Sequence, residues 1–152
     1  MTFDFEIEGL SEAIEKFRKL ATPGFIQGVM VSSLLKSAFL VEETAKQLCP
    51  VGDPEFDPNS GQLRNSISVS SIPDGAEVGS NVEYASYVEY GTGQRGDPSV
   101  EHVTEKTSKI TGETYPYMGQ APQPYLYPAL EAHRDNIKNN IVQDLDNAVK
   151  GR

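Results

Sequence analysis

Apolar and polar positions alternate at the start of the chain and then spread to helical spacing. Phe3, Phe5 and Ile7 alternate with Asp4, Glu6 and Glu8, the period-two pattern of a half-buried strand that ends at Gly9. Leu10, Ile14, Phe17 and Leu20 recur at spacings of four, three and three. They predict a short amphipathic helix capped by Ser11 and interrupted at Pro23-Gly24. From Phe25 to Leu48 the pattern stays helical without a break: Phe25, Val29, Leu35, Ala38, Phe39, Glu42, Ala45 and Leu48 return to one broad side. Met30, Val31, Leu34, Leu40 and Val41 widen the stripe. This predicts a central helix buried on more than one side or shared with a neighbouring subunit. Pro50 stops it, because proline lacks an amide hydrogen and disfavours helix in the residue before it.

Residues 51–60 are turn formers and acids, and read as a loop. Leu63, Ile67 and Val69 then alternate with polar residues, Pro73-Asp74-Gly75 signals a turn, and Val78, Val82 and Tyr84 continue the period. Residues 63–90 therefore read as an antiparallel hairpin or meander. Residues 93–123 keep no period and are expected to form an irregular projecting loop that orders in an assembly. A last helix is predicted from near Pro128, a residue favoured in a first turn, with Leu126, Leu130, Ile137, Ile141, Leu145 and Ala148 on its apolar face and Gly151 beyond its end. The expected fold is one α+β domain over residues 1–152. Its antiparallel sheet, the N-terminal strand plus the hairpin or meander, is packed by the central and C-terminal helices.

Charge narrows the function. With 22 acidic against 13 basic residues the formal net charge is −9, which argues against a duplex-binding protein, since that needs a basic face to release counterions. An acidic wall is compatible with DNA sliding past without sticking. Cys49 is the single cysteine, so no intrachain disulfide forms, and its place at the end of an apolar helical stripe suggests a small buried residue in a reducing compartment. No run approaches the ~18 consecutive apolar residues of a membrane span. The acidic, alternating start is unlike a signal peptide, so the chain is expected to be soluble and to stay where it is made.

Candidate chemistry is sparse. His133 falls between Leu130 and Ile137 on an apolar helical face and reads as a partly buried histidine with a hydrogen-bond partner; His102 lies in the irregular segment. No spacing of histidines and cysteines supports zinc. Gly91-Thr92-Gly93-Gln94-Arg95-Gly96 has glycines of the phosphate-cradling sort, but Asp-Pro-Ser follows where a helix would be needed. Asp53, Glu55 and Asp57 alternate like calcium ligands but lack the loop's glycine and closing glutamate. No catalytic, cofactor or metal residue is singled out.

Three blocks are distinctive together. Cys49-Pro50-Val51 leads to Gly61-Gln62-Leu63-Arg64-Asn65-Ser66-Ile67; then comes Tyr84-Ala85-Ser86-Tyr87-Val88-Glu89-Tyr90-Gly91-Thr92; then Pro122-Gln123-Pro124-Tyr125-Leu126-Tyr127-Pro128-Ala129. In order and rough spacing they resemble the tail-completion (neck) proteins of long-tailed bacteriophages, the group related to the phage lambda tail protein Z. The loop between Val51 and Gly61 is longer than the link common in such proteins, and Tyr125 stands where phenylalanine is usual. The resemblance implies a non-catalytic virion protein, assembled in the host cytoplasm, acting in tail completion and head–tail joining. It implies a ring of about six copies contacting neighbouring neck and tail proteins, with DNA passing unbound and no membrane involved. Pro50, Gly61, Leu63, Arg64, Ser66, Ile67, Tyr84, Ala85, Tyr87, Glu89, Gly91, Thr92, Pro124, Tyr125, Leu126 and Pro128 are its structural and interaction positions.

Three rivals stand beside this reading. Within the same particle the alternative is a tail terminator or head-closure ring. From other classes come a small metal-dependent hydrolase using His102 or His133, and an antitoxin-like or scaffold module. Three local expectations follow as well. Arg64 and Glu89, on adjoining strands, pair and fix register. Gly91 ends its strand at a sharp turn. Tyr125 and Leu126 run extended into the core ahead of Pro128.

Overall fold

The computed structural model of the chain describes residues 9–18 and 21–151. The strand expected at Phe3, Phe5 and Ile7 lies outside the described residues, as does Leu20. The element order is α1 (Leu10–Arg18), α2 (Pro23–Leu48), α3 (Gln62–Ser66), β1 (Ser68–Ile72), β2 (Gly75–Gly79), α4 (Ala85–Tyr90), a single 3-10 turn at Gly93–Arg95, β3 (Glu105–Thr107), β4 (Thr114–Pro116) and α5 (Leu126–Lys150). The class is α+β.

Two long helices make the frame. Pro23 opens α2 at a position where a missing amide does no harm, and Cys49-Pro50 closes it. α2 buries Ile26, Ser33, Ser37, Ala38, Val41 and Ala45, and α5 buries Leu126, Ala129, Leu130, Ile137, Ile141 and Leu145. The two faces pack together, and the small residues of α2 allow the backbones to approach closely. Among the described residues polar side-chain contacts join the two helices at three places: His133 Nε2 lies 2.8 Å from Thr44 Oγ1, Asn140 Nδ2 donates to Ser37 Oγ at 3.5 Å, and at the exposed edge Lys36 Nζ pairs with Asp144 Oδ2 at 3.4 Å. Among the described residues α2 is the helix long and apolar enough, by length and composition, to cross a membrane. Its buried stripe packs on α5 and on the β1–β2 hairpin, as a core helix does. Phe39, Leu40 and Leu48 of the same helix stay exposed. Burial on more than one side is therefore not what this subunit shows at those three positions.

β1 and β2 pair antiparallel, with Ser68 opposite Gly79 and Ile72 opposite Gly75, around the predicted Pro73-Asp74 turn. Gln27 Nε2 of α2 donates to Asp74 Oδ1 at 2.8 Å and holds the turn against the helix. The meander predicted over 63–90 is shorter than expected at both ends. Residues 62–66 form α3 and residues 85–90 form α4. The reason is spacing: Leu63 and Ile67, and likewise Ala85 and Glu89, sit four residues apart, which satisfies one helical face as well as one strand face. All four are buried.

Between α4 and α5, where the sequence shows no period, β3 and β4 pair as a second short hairpin, with Glu105 opposite Pro116 and Thr107 opposite Thr114. All six strand residues are exposed.

Candidate functional site

The three sequence blocks meet at one end of the helix pair. Cys49, Leu63, Ile67, Ala85, Tyr125, Leu126 and Ala129 belong to one buried cluster. Gly61, with φ of +80°, sits in the left-handed region and turns the chain into α3. Pro50 stops α2 just before this turn. Ser66 Oγ donates to the Leu63 carbonyl at 2.7 Å and lies 2.6 Å from Ser80 Oγ, which ties α3 to the end of β2.

Glu89 is the centre of the junction. It is 2% exposed, and its carboxylate accepts three backbone hydrogen bonds from the start of α5. Tyr125 N and Leu126 N donate to Oε2 at 2.8 and 2.9 Å, and Tyr127 N donates to Oε1 at 2.9 Å. A helix leaves its first four amides without intrahelical partners. Here Glu89 takes the first three, and the fourth position is Pro128, which has none to offer. The carboxylate also faces the positive end of the helix dipole, which stabilises its charge. One more bond fixes the approach, from Gln123 N to the Val88 carbonyl at 2.8 Å.

The expected Arg64–Glu89 pair is absent: no ion pair joins them among the described residues, since both Glu89 oxygens face α5 instead. The expected register device was a side-chain pair between strands; the structure puts a carboxylate cap between two helices in its place. Arg64 is exposed beside Cys49. Burial pushes the Cys49 thiol up to about 11, with Arg64 opposing the shift and Glu89 adding to it. Tyr125 is fully buried, and burial, then Glu89, push its phenol well above the ordinary range. Around this interior Tyr84, Tyr87 and Tyr127 stay exposed. Pro124 and Tyr127 line a cleft of about 270 Å³ with Glu89, Tyr90, Asp97 and Ser99.

Gly91 and Thr92 belong to a neck below the β3–β4 hairpin. Thr92 N donates to the Gln120 carbonyl at 2.8 Å and Gln120 N returns to the Thr92 carbonyl at 3.1 Å. Gln94 N reaches the Tyr117 carbonyl at 2.9 Å and Arg95 N the Met118 carbonyl at 3.0 Å. Thr92 Oγ1 accepts a further bond from Gln120 N at 3.0 Å. The backbones cross so closely that a Cβ on Gly91 would stand 2.5 Å from the Gln120 carbonyl oxygen, and one on Gly119 would strike the Thr92 carbonyl; both glycines have positive φ. Gly91 thus turns the chain as expected, but at a helix end and a backbone crossing rather than at a strand end.

The histidines stand apart. His102 Nε2 lies 3.0 Å from the Asp97 carbonyl, while His133 sits in the α2–α5 seam. Among the described residues no group of three or more His, Cys, Asp or Glu could hold a metal ion.

A family model described as "Bacteriophage HK97-gp10, putative tail-component" matches residues 11–91, just over half of the chain. The chain belongs to this family of phage tail components. The match runs from α1 to the neck glycine Gly91, so it includes Glu89 but stops before the helix start that Glu89 caps. No curated protein and no solved structure gives a significant match. The family fits a structural component of the virion tail that contacts other tail proteins.

Sequence reasoning missed the role of Glu89. A signal was present: Pro124-Tyr125-Leu126-Tyr127-Pro128 opens a long helix with no Ser, Thr, Asp or Asn as a local cap, so the partner had to come from elsewhere.

Proposed function

We propose that this tail component acts in tail completion and head–tail joining at the neck, without catalysis, as a ring of about six copies through which DNA passes unbound. The observation that supports it most is the junction itself. The three blocks that resemble the neck proteins converge on one rigid, Glu89-capped corner whose outer rim carries Tyr84, Tyr87 and Tyr127 exposed. Aromatic side chains on a rigid frame are the usual anchors of protein–protein contacts. The overall negative charge suits a wall that does not hold passing DNA. Assembly takes place in the host cytoplasm, before the particle leaves the cell.

Electron microscopy of particles made without this protein tests the reading. Free heads beside complete tails of normal length are the expected result. Tails of irregular length would transfer the protein to the tail-terminator position. Normally joined, infectious particles would overturn both positions. Particle assembly that survives replacement of His102 and His133 together separates this reading from a hydrolase.

A further inference from the structure

The arm formed by residues 97–118 is built in a way that one subunit alone does not explain. No side chain between Tyr90 and Pro124 belongs to the buried core. Ile110 at the hairpin tip is 96% exposed and Val103 67%. A two-stranded hairpin with no sheet or helix behind it is marginal in water. This one is rooted firmly at the neck and carries its apolar groups outward, where only another surface can cover them.

A surface of matching character lies elsewhere on the same chain. An open groove of about 580 Å³ runs beside the C-terminal end of α2, with Phe39, Glu42, Glu43, Gln47, Val51 and Arg64 among its walls. Phe39 and Val51 are exposed there. Lys46 is paired with Glu42 at 2.5 Å, whereas Glu43 makes no ion pair among the described residues. Next to Val51 follows the exposed loop Asp53-Pro54-Glu55-Phe56-Asp57, three acids with no base and a phenylalanine 84% exposed.

The tip has the opposite sign. Its outermost residues, 106–112, hold Lys106 and Lys109 and no acid, with Glu105 and Glu113 just behind them, on a chain of net charge −9. Lys106 is held with its ammonium 3.5 Å from the Tyr117 ring centre, which leaves Lys109, next to Ile110, as the outermost cation.

We propose that the arm of one copy seats Ile110 and Lys109 in this groove of a neighbouring copy, Ile110 against Phe39 and Val51 and Lys109 towards Glu43 and the acidic loop. The exposure of Ile110 shows that the tip does not reach the groove of its own subunit, so the contact runs between copies. It joins two different surfaces and is therefore heterologous, the type of contact that closes into a ring when the rotation permits. The inference rests on the ring reading above and names the surfaces that would make the ring.

Cross-linking tests it. In a Cys49→Ala background, the full chain carrying Lys109→Cys and Glu43→Cys is oxidised at high concentration and run without reductant. A ladder of covalent oligomers is expected, whereas either single cysteine stops at dimers. Mixing the two single-cysteine chains should give the mixed dimer in preference to either homodimer.

Sedimentation of Lys109→Glu gives an independent measurement that needs no cysteine. Self-association should weaken about tenfold or more, and adding Glu43→Lys should restore much of it. Self-association that is unchanged by Lys109→Glu and yields no ladder overturns the arm proposal while the ring stands. No self-association at any concentration reached, together with a single copy per particle, overturns the ring and the arm with it.

Discussion

The Glu89 junction and the 97–118 arm are neighbours in sequence, yet they are stabilised by opposite means. At the junction side chains do the holding: a carboxylate closes the start of α5, and Leu63, Ile67, Tyr125 and Leu126 fill the space around it. In the arm the backbone holds itself, through paired amides and carbonyls at a neck where glycines permit the crossing, and the side chains are left for use outward. Stability is concentrated where side chains converge inward. Recognition is available where they do not.

The contrast can be broken first at Glu89. Replacing it with alanine strands three amides at once, two buried and one part-buried, and we expect a loss of about 2–6 kcal/mol, at roughly 1–3 kcal/mol for each of the two buried groups and little for the third, which water can reach. Urea unfolding followed by circular dichroism measures it. Glu89→Gln keeps one acceptor oxygen but turns an amide group towards donors, and should fall between the two. A loss under about 1 kcal/mol for Glu89→Ala would show that α5 finds another cap.

Leu126→Ala comes next. The side chain is 2% exposed, and truncation should lower unfolding free energy by about 2–5 kcal/mol. A smaller and more local effect is expected from Gly119→Ala, which places a methyl group against the Thr92 carbonyl at a positive φ. Hydrogen exchange at the Thr92 and Gln120 amides should speed up by at least about tenfold, since each tenfold corresponds to about 1.4 kcal/mol of lost protection, while amides of the α2–α5 seam keep theirs. Equal acceleration in both places would mean that neck and core open as one unit. Least of all, Ile110→Ser should change the stability of the isolated chain by less than about 0.5 kcal/mol. A larger loss would show that the tip supports the fold as well as any partner.

The sequence shows the long elements well because their patterns are long. α2 is bracketed by Pro23 and Pro50, and α5 carries Leu130, Ile137, Ile141 and Leu145 at helical spacing before Gly151. The Pro73-Asp74 turn is legible because proline fixes φ and aspartate and glycine favour turns. α3 and α4 are not, since five or six residues do not separate a period of 2 from one of 3.6, and Leu63 with Ile67 fits both. The arm is hidden for a different reason: its strands are exposed on both faces, so pairing there leaves no mark on side-chain polarity. The site was legible as a set of blocks but not as a device. Glu89 has the look of a surface charge in the sequence, and only the uncapped start at Tyr125 shows that a long-range acceptor is needed.

The placement of Pro128 has a consequence for anything anionic that passes. The start of a long helix ordinarily presents bare donors and a positive field, and phosphates collect at such places. Here a buried acid cancels the field, three donors are taken and the fourth residue has none, so this helix start offers an incoming anion no free donor.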